Sequence, residues 1–213
     1  MLFRSCNYNC FYCHNRELIS PEGPQKAPQV HPDQVLSHLS RRRTLLEGVV
    51  ISGGEPTLQK DLELFIREVR QLGLLVKLDT NGSSPDVLDR LIAGGMIDYA
   101  ALDVKAPWDR YREICGKQAD CSAVQDCLRI LKDSHIDWEV RTTVCPTLHG
   151  YDLEEIAQQL AEVPLWRWNL YRRPEQYRLE DAPRVCAPAL SSVKLQRIEQ
   201  QLGRTVHPAV VMP

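Results

Sequence analysis

Three thiols fall within one short stretch, "CNYNCFYCHN", where Cys6, Cys10 and Cys13 have three and then two residues between them. Thiolates this dense on one loop hold either a structural zinc ion, with His14 next along as a fourth donor, or an iron–sulfur cluster. The loop alone leaves both open. A closed metal site usually wants four ligands, so the count of three asks what takes the fourth position. A second chemical stretch, "SGGEP", follows at Ser52–Pro56. Two glycines let backbone approach a ligand closely, and Glu55 adds an acceptor for an ammonium group that a plain turn does not require. Further along, "LDTNG", "LDVKAP", "VRTTVCP" and "LYRRP" place charged side chains inside or just after apolar runs. Asp79, Asp103 and Lys105 in such runs are either paired structural ions or site residues.

The elements that must position these groups follow from periodicity. "GVVISGG", "LLVKLDTNG", "IDYAALDVKAP", "IDWEVRTTVCP" and "LWRWNLYRRP" predict strands, and "TVHPAVVM" a last short one. Between them, "HPDQVLSHLSRRRTLL", "QKDLELFIREVRQLG", "SPDVLDRLIAGG", "CSAVQDCLRILKDSH", "DLEEIAQQLAEV" and "ALSSVKLQRIEQQLG" predict helices, several ended by glycine. Residues 19–34, rich in proline, read as an irregular loop leading into the first helix. Near-continuous apolar strands alternating with helices imply an α/β fold with parallel strands and outer helices. The polar and glycine-rich positions recur at the C-terminal ends of successive strands. That favours a β/α barrel, whose mouth collects residues from many strands, over a doubly wound sheet with one switch point. About six β/α units fit the length, so a partial, laterally open TIM-like barrel is expected.

Size and charge narrow the classes. A chain of 213 residues suits a single domain, taken as 1–213 with the cysteine loop at 6–15 and the barrel over about 2–205. A net charge of −2 gives no electrostatic reason to expect nucleic acid or an anionic membrane as partner. No apolar run approaches the length of a membrane span. A cysteine cluster at residue 6 leaves no room for a signal peptide, which points to the cytoplasm. Eight cysteines, three clustered and five scattered, suit a reducing compartment with one metal or cluster site better than a disulfide framework. Cys115, Cys121 and Cys127 read as free thiols, and Cys145 and Cys186 receive no role. Arg41–Arg43 read as a solvated helix face, and Trp166 and Trp168 as packing.

Taken together, the motifs resemble those of the radical S-adenosylmethionine (SAM) superfamily. The cysteines match its C-x3-C-x2-C motif, with the aromatic Tyr12 before the third cysteine, and "GGEP" matches its glycine–glycine–glutamate motif. Within the superfamily the chain looks like the glycyl-radical-enzyme activating proteins, on "CHN" at Cys13–Asn15, "LDTNG" at Leu78–Gly82, "DVKAP" at Asp103–Pro107, "RTTV" at Arg141–Val144 and "RRP" at Arg172–Pro174. The likeness is greatest to activating proteins of anaerobic ribonucleoside-triphosphate reductase, with those of pyruvate formate-lyase related.

The resemblance implies one 4Fe–4S cluster on Cys6, Cys10 and Cys13, with the fourth iron left for SAM. It implies SAM contacts from Tyr12, Gly53, Gly54, Glu55, Asp79, Thr80, Asn81, Asp103, Lys105 and Arg141. It also implies a monovalent cation with oxygen ligands from Asp79, Thr80 and Asp103. Lys105 and Arg173 are the candidate catalytic residues, and His14 reads as packing or as support behind the loop. The expected activity is reductive cleavage of SAM, with the resulting radical stored on a glycine of a partner glycyl radical enzyme. Flavodoxin or ferredoxin is the implied electron donor. Two alternatives stand beside this reading: a radical SAM enzyme acting on a small molecule, as in deazaguanine synthesis, and a non-catalytic zinc-binding protein. Only "MLFRS" precedes the cysteines, so the first strand is expected to be short, or the true start of the chain lies further upstream.

Overall fold

Proline and capping residues open the helices, and glycines close several of them. Pro32 sits in the first turn of α1 (Pro32–Arg42), and the His31 side chain accepts from the Asp33 backbone N–H at 3.4 Å. Asp152 accepts from the His149 backbone N–H at 2.7 Å in a capping box, while Gly203 adopts φ 58° after the last helix. In this computed structural model residues 2–19, 30–203 and 206–208 are described. Most of the proline-rich loop and the end of the predicted last strand lie outside them.

In chain order β1 (Leu2–Phe3) and α1 are followed by β2 (Gly48–Gly53), α2 (Leu62–Gln71), β3 (Leu75–Thr80), α3 (Pro85–Ala93) and β4 (Tyr99–Asp103). Then come α4 (Tyr111–Cys115), α5 (Cys121–Lys132), β5 (Asp137–Val144), α6 (Gly150–Gln159), β6 (Trp166–Leu170), α7 (Ala182–Val185), α8 (Ser192–Leu202) and β7 (His207–Pro208). The alternation read from the sequence is therefore present, and β1 is as short as expected. Helices α4 and α7 were not predicted. Each is about one turn, too short to generate a periodic apolar stripe.

The described residues form two compact units. One runs over Met1–Asn7, Glu17–Leu102 and Ser122–Trp138, the other over Tyr8–Arg16, Asp103–Cys121 and Glu139–Pro213. In the first unit the strands lie in chain order, β1-β2-β3-β4, all parallel, with Phe3 opposite Gly53, Ile51 opposite Leu78 and Asp79 opposite Ala101. Parallel pairing requires a crossover between neighbours, and α2 and α3 supply two of them. Helix α2 buries Leu62, Phe65, Ile66 and Val69, and Phe65 meets Phe3 edge-on at 6.0 Å. The strands were read as apolar on both faces. In β4 Ala100, Ala101 and Leu102 are buried in a row, whereas burial alternates along β2 and β3, where Val50 and Leu75 stay exposed.

In the second unit β5-β6-β7 are parallel, with Thr142 opposite Trp168. Trp166 and Trp168 do serve packing: both are buried and meet edge-on at 5.4 Å, and the Trp166 indole donates to the Thr142 hydroxyl at 2.9 Å. Helices α6 and α8 pack against each other. Arg110 reaches the buried Asp152 carboxylate at 2.7 Å, and Arg178 and Arg184 both hold the buried Asp181. Among the described residues no helix is long and apolar enough to cross a membrane.

Candidate functional site

In the first unit the ends of β2 and β3 are tied together by one carboxylate. Glu55 is fully buried. Its Oε1 accepts from the Thr57 hydroxyl (2.6 Å), the Thr57 backbone N–H (3.1 Å) and the Thr80 hydroxyl (2.8 Å). Its Oε2 accepts from the Asn81 backbone N–H at 2.7 Å. Three donors thus converge on Oε1 and one on Oε2. The turn therefore does use Glu55, which caps the short 3-10 turn Pro56–Leu58. Burial pushes the Glu55 carboxyl above its ordinary range, and the hydrogen bonds from Thr57, Asn81 and Thr80 only partly offset this.

The glycines before Glu55 have a stereochemical reason. Gly53 stands at φ 128°, and a Cβ on Gly54 would lie 2.0 Å from the Ser5 carbonyl oxygen. That closeness lets the Gly54 N–H donate to the Phe3 carbonyl (2.8 Å) and the Glu55 N–H to the Ser5 carbonyl (2.7 Å). The turn is thus laced to the residues that lead into Cys6. Asn81 completes the connection: its side-chain Nδ2 stands 3.7 Å from the Cys6 sulfur and 3.1 Å from Asn7 Oδ1. Thr80 also accepts from the Gly82 N–H at 3.1 Å, so its hydroxyl is engaged on both sides. Asp79 is half-buried, next to last in β3.

In the second unit Asp103, the last residue of β4, carries a different kind of network. Lys105 Nζ donates to Asp103 Oδ2 at 2.8 Å. Arg141 meets Oδ1 through Nε (3.2 Å) and Nη2 (3.1 Å). Burial alone would push the Asp103 carboxyl up, but the Lys105 and Arg141 charges more than reverse it and hold it below its ordinary range. The same carboxylate keeps Lys105 charged despite its own burial, raising its pKa. Tyr111 fastens the backbone beneath: its hydroxyl donates to the Asp103 carbonyl and accepts from the Lys105 N–H, both at 3.2 Å. Asp103, Lys105 and Arg141 are thus brought together as an ion triad.

The rest of the cysteine loop also belongs to the second unit. The Cys13 N–H donates to the Cys10 carbonyl at 3.2 Å, and Arg16 braces the loop through Asn9 Oδ1 at 2.7 Å. Cys10 is buried, Cys13 half-buried, and His14 exposed rather than packed. The Cys115 thiol hydrogen-bonds Cys10 and pulls it below its ordinary range against burial, with the Lys105 charge assisting. Burial and the neighbouring Cys10 push Cys13 up. Cys115 is thus the residue that sequence reasoning missed, since nothing in its spacing links it to a loop so distant in the chain. Cys127 is buried and contacts the Gly82 carbonyl at 3.3 Å, and burial pushes its thiol up to about 12. Arg173 is exposed and holds Tyr177, with Nη2 at 2.5 Å from its hydroxyl.

A cluster suits this donor set. Cys6, Cys10 and Cys13 form no disulfide. The Tyr12 hydroxyl is buried and has no hydrogen-bond partner among the described residues, as expected of a group beside a site that takes a ligand. Among the described residues no three His, Cys, Asp or Glu side chains are arranged to hold one metal ion.

Comparison with known proteins agrees. The sequence profile of the radical SAM superfamily matches residues 1–162. Two proteins of Methanocaldococcus jannaschii, MJ1227 and MJ1632, each bear the name "Putative glycyl-radical enzyme activating enzyme". The first is 33% identical over 179 residues, covering 81% of this chain and 72% of that protein. The second is 28% identical over 185 residues, covering 83% of this chain and 66% of that protein. Among solved structures, Streptococcus suis SuiB bound to S-adenosylmethionine superposes with a TM-score of 0.66 at 15% identity, over 97% of this chain and 48% of SuiB. At that identity the likeness shows the fold alone, and it bears out the radical SAM type of α/β fold expected from the alternation. With its cysteine loop, its glycine–glycine–glutamate turn and this fold, the chain belongs to the radical SAM superfamily.

Proposed function

We propose that this chain is a glycyl-radical-enzyme activating enzyme, acting on an anaerobic ribonucleoside-triphosphate reductase as protein substrate. One observation carries the reading from the geometry. The "GGEP" turn, the "TNG" turn and the start of the cysteine loop are joined by hydrogen bonds, from Asn81 to both Glu55 and Cys6. The names borne by the relatives support the choice of a protein substrate. In this reading Cys6, Cys10 and Cys13 hold a 4Fe–4S cluster. The reduced cluster, with SAM bound, supplies the chemistry: a one-electron cleavage to methionine and a 5′-deoxyadenosyl radical, which takes a hydrogen atom from the partner's glycine.

The chain's own residues bind and orient. The missing side chain at Gly54 lets the Ser5 carbonyl oxygen pack against the turn, which holds Glu55 against the residues that lead into Cys6. Lys105 and Arg141 are fixed cations for a carboxylate, held ready by Asp103. Tyr12 offers a hydroxyl donor that is otherwise unused. Flavodoxin or ferredoxin supplies the electron.

The test is anaerobic reconstitution with iron and sulfide, then reductant, SAM and the candidate reductase. The expected result is 5′-deoxyadenosine together with a glycyl-radical doublet on the reductase by electron paramagnetic resonance. Deoxyadenosine without a glycyl signal would sink the substrate assignment and keep the cleavage chemistry. Purified protein containing zinc and no sulfide would overturn both.

A further inference from the structure

The Asn81 amide is pinned at three points. Its Oδ1 accepts from the Ser83 N–H at 2.9 Å, which fixes which end of the amide is oxygen. The Nδ2 end therefore faces the other way, where it has two N–H bonds and two acceptors: Asn7 Oδ1 at 3.1 Å and the Cys6 sulfur at 3.7 Å. Its backbone N–H is held by Glu55 Oε2 at 2.7 Å. Asn81 is only 4% exposed, so water does not compete freely for its donors. The turn beyond it has little freedom to move. Gly82 stands at φ 74°, and a Cβ there would lie 2.7 Å from Leu102 Cδ1. The amide is thus aimed at the sulfur by the rest of the turn rather than by a flexible side chain.

We propose that Asn81, aimed by Glu55, is a positioning residue whose N–H···S hydrogen bond to Cys6 sets the reduction potential of the cluster that Cys6 ligates. This deepens the proposed function and rests on its assignment of a cluster to Cys6. Hydrogen bonds to cluster sulfurs draw electron density away from the irons and stabilise the reduced, more negative state. Removing this one makes the cluster harder to reduce. The "GGEP" turn therefore acts on electron transfer through Asn81, as well as on the shape of the site. Asn7 shares the amide without owning the effect, because Asn81 has a second N–H for the sulfur.

The experiment compares wild type, Asn81→Asp, Asn81→Ala and Asn7→Ala after anaerobic reconstitution. Iron and sulfide per chain are measured first. The midpoint is then read from the reduced cluster's electron paramagnetic resonance signal during a dithionite titration, without SAM or partner. Asn81→Asp keeps the acceptor for Ser83 and the backbone bond to Glu55, so it guards against loss of folding. Full cluster loading is expected throughout. The midpoint moves negative in Asn81→Ala and further negative in Asn81→Asp, which sets a carboxylate near the thiolate, while Asn7→Ala stays near wild type. Fully loaded Asn81→Asp and Asn81→Ala that titrate at the wild-type midpoint would overturn this inference alone. A wild-type chain that takes up no iron and sulfide overturns the proposed function and this inference with it.

Discussion

Glu55 and Asp103 are both carboxylates at or just beyond the end of a parallel strand, yet they are satisfied in opposite ways. Glu55 is surrounded by neutral donors, two hydroxyls and two backbone N–H groups. Asp103 is held by an ammonium and a guanidinium. Neutral donors fix geometry but do not neutralise charge, so burial still disfavours the ionised Glu55. Two cations reverse that cost for Asp103. One centre is therefore a rigid structural tie, and the other is an ion cluster with positive charge to spare.

The largest effect expected from breaking this contrast is at Asp103. Asp103→Asn leaves Lys105 and Arg141 facing one another without a counter-charge. It should cost about 3 kcal/mol in urea unfolding, the low end for a broken buried pair because all three side chains keep some contact with water. Glu55→Gln should cost less, about 1–2 kcal/mol near neutral pH. It sets an amide N–H2 against one of the donors but also removes a buried charge. If Glu55→Gln proves the more damaging of the two, the contrast between neutral and ionic satisfaction is wrong.

Acidification should separate the two centres by sign. The Asp103 pKa is lowered from 3.8, so its stabilisation is present above that value and is lost as pH falls through the lower folded one. The stability gap between wild type and Asp103→Asn should therefore be widest above pH 3.8 and close as pH falls below it. The Glu55 pKa is raised from 4.5, so its contribution is fully present below that value and is lost as pH rises through the folded one. The gap between wild type and Glu55→Gln should narrow over that rise. Unfolding curves at several pH values, read against the variants, check both slopes. The smallest effect is expected at Arg173. Arg173→Ala removes only exposed contacts with Tyr177 and should leave the unfolding midpoint in place.

The alternation of strands and helices was legible because each long element buries a periodic face, and the glycines and prolines that punctuate it act locally. The cysteine spacing and the "GGEP" and "TNG" turns were legible for the same reason. Partnerships between distant segments were not. No pattern in the chain says that Glu55 would spend its oxygens on Thr57, Thr80 and Asn81, or that Cys115 would hydrogen-bond Cys10. Asp79, Asp103 and Lys105 stand out in the sequence for carrying charge in apolar strands, while Arg141 enters only through the family resemblance; that Asp103 would be held by both Lys105 and Arg141 has no signal in the chain.

The Ser5 carbonyl oxygen behind Gly54 has a consequence for directed evolution. It lies 2.0 Å from where a first side-chain carbon would stand, and it is backbone, so no rotamer change can clear it. A library carrying every amino acid at position 54, selected for folded protein, should therefore return glycine alone. A library at the exposed Arg173 should come back nearly unsorted. A single peptide oxygen thus dictates one letter of this chain, with no help from the chemistry the turn serves.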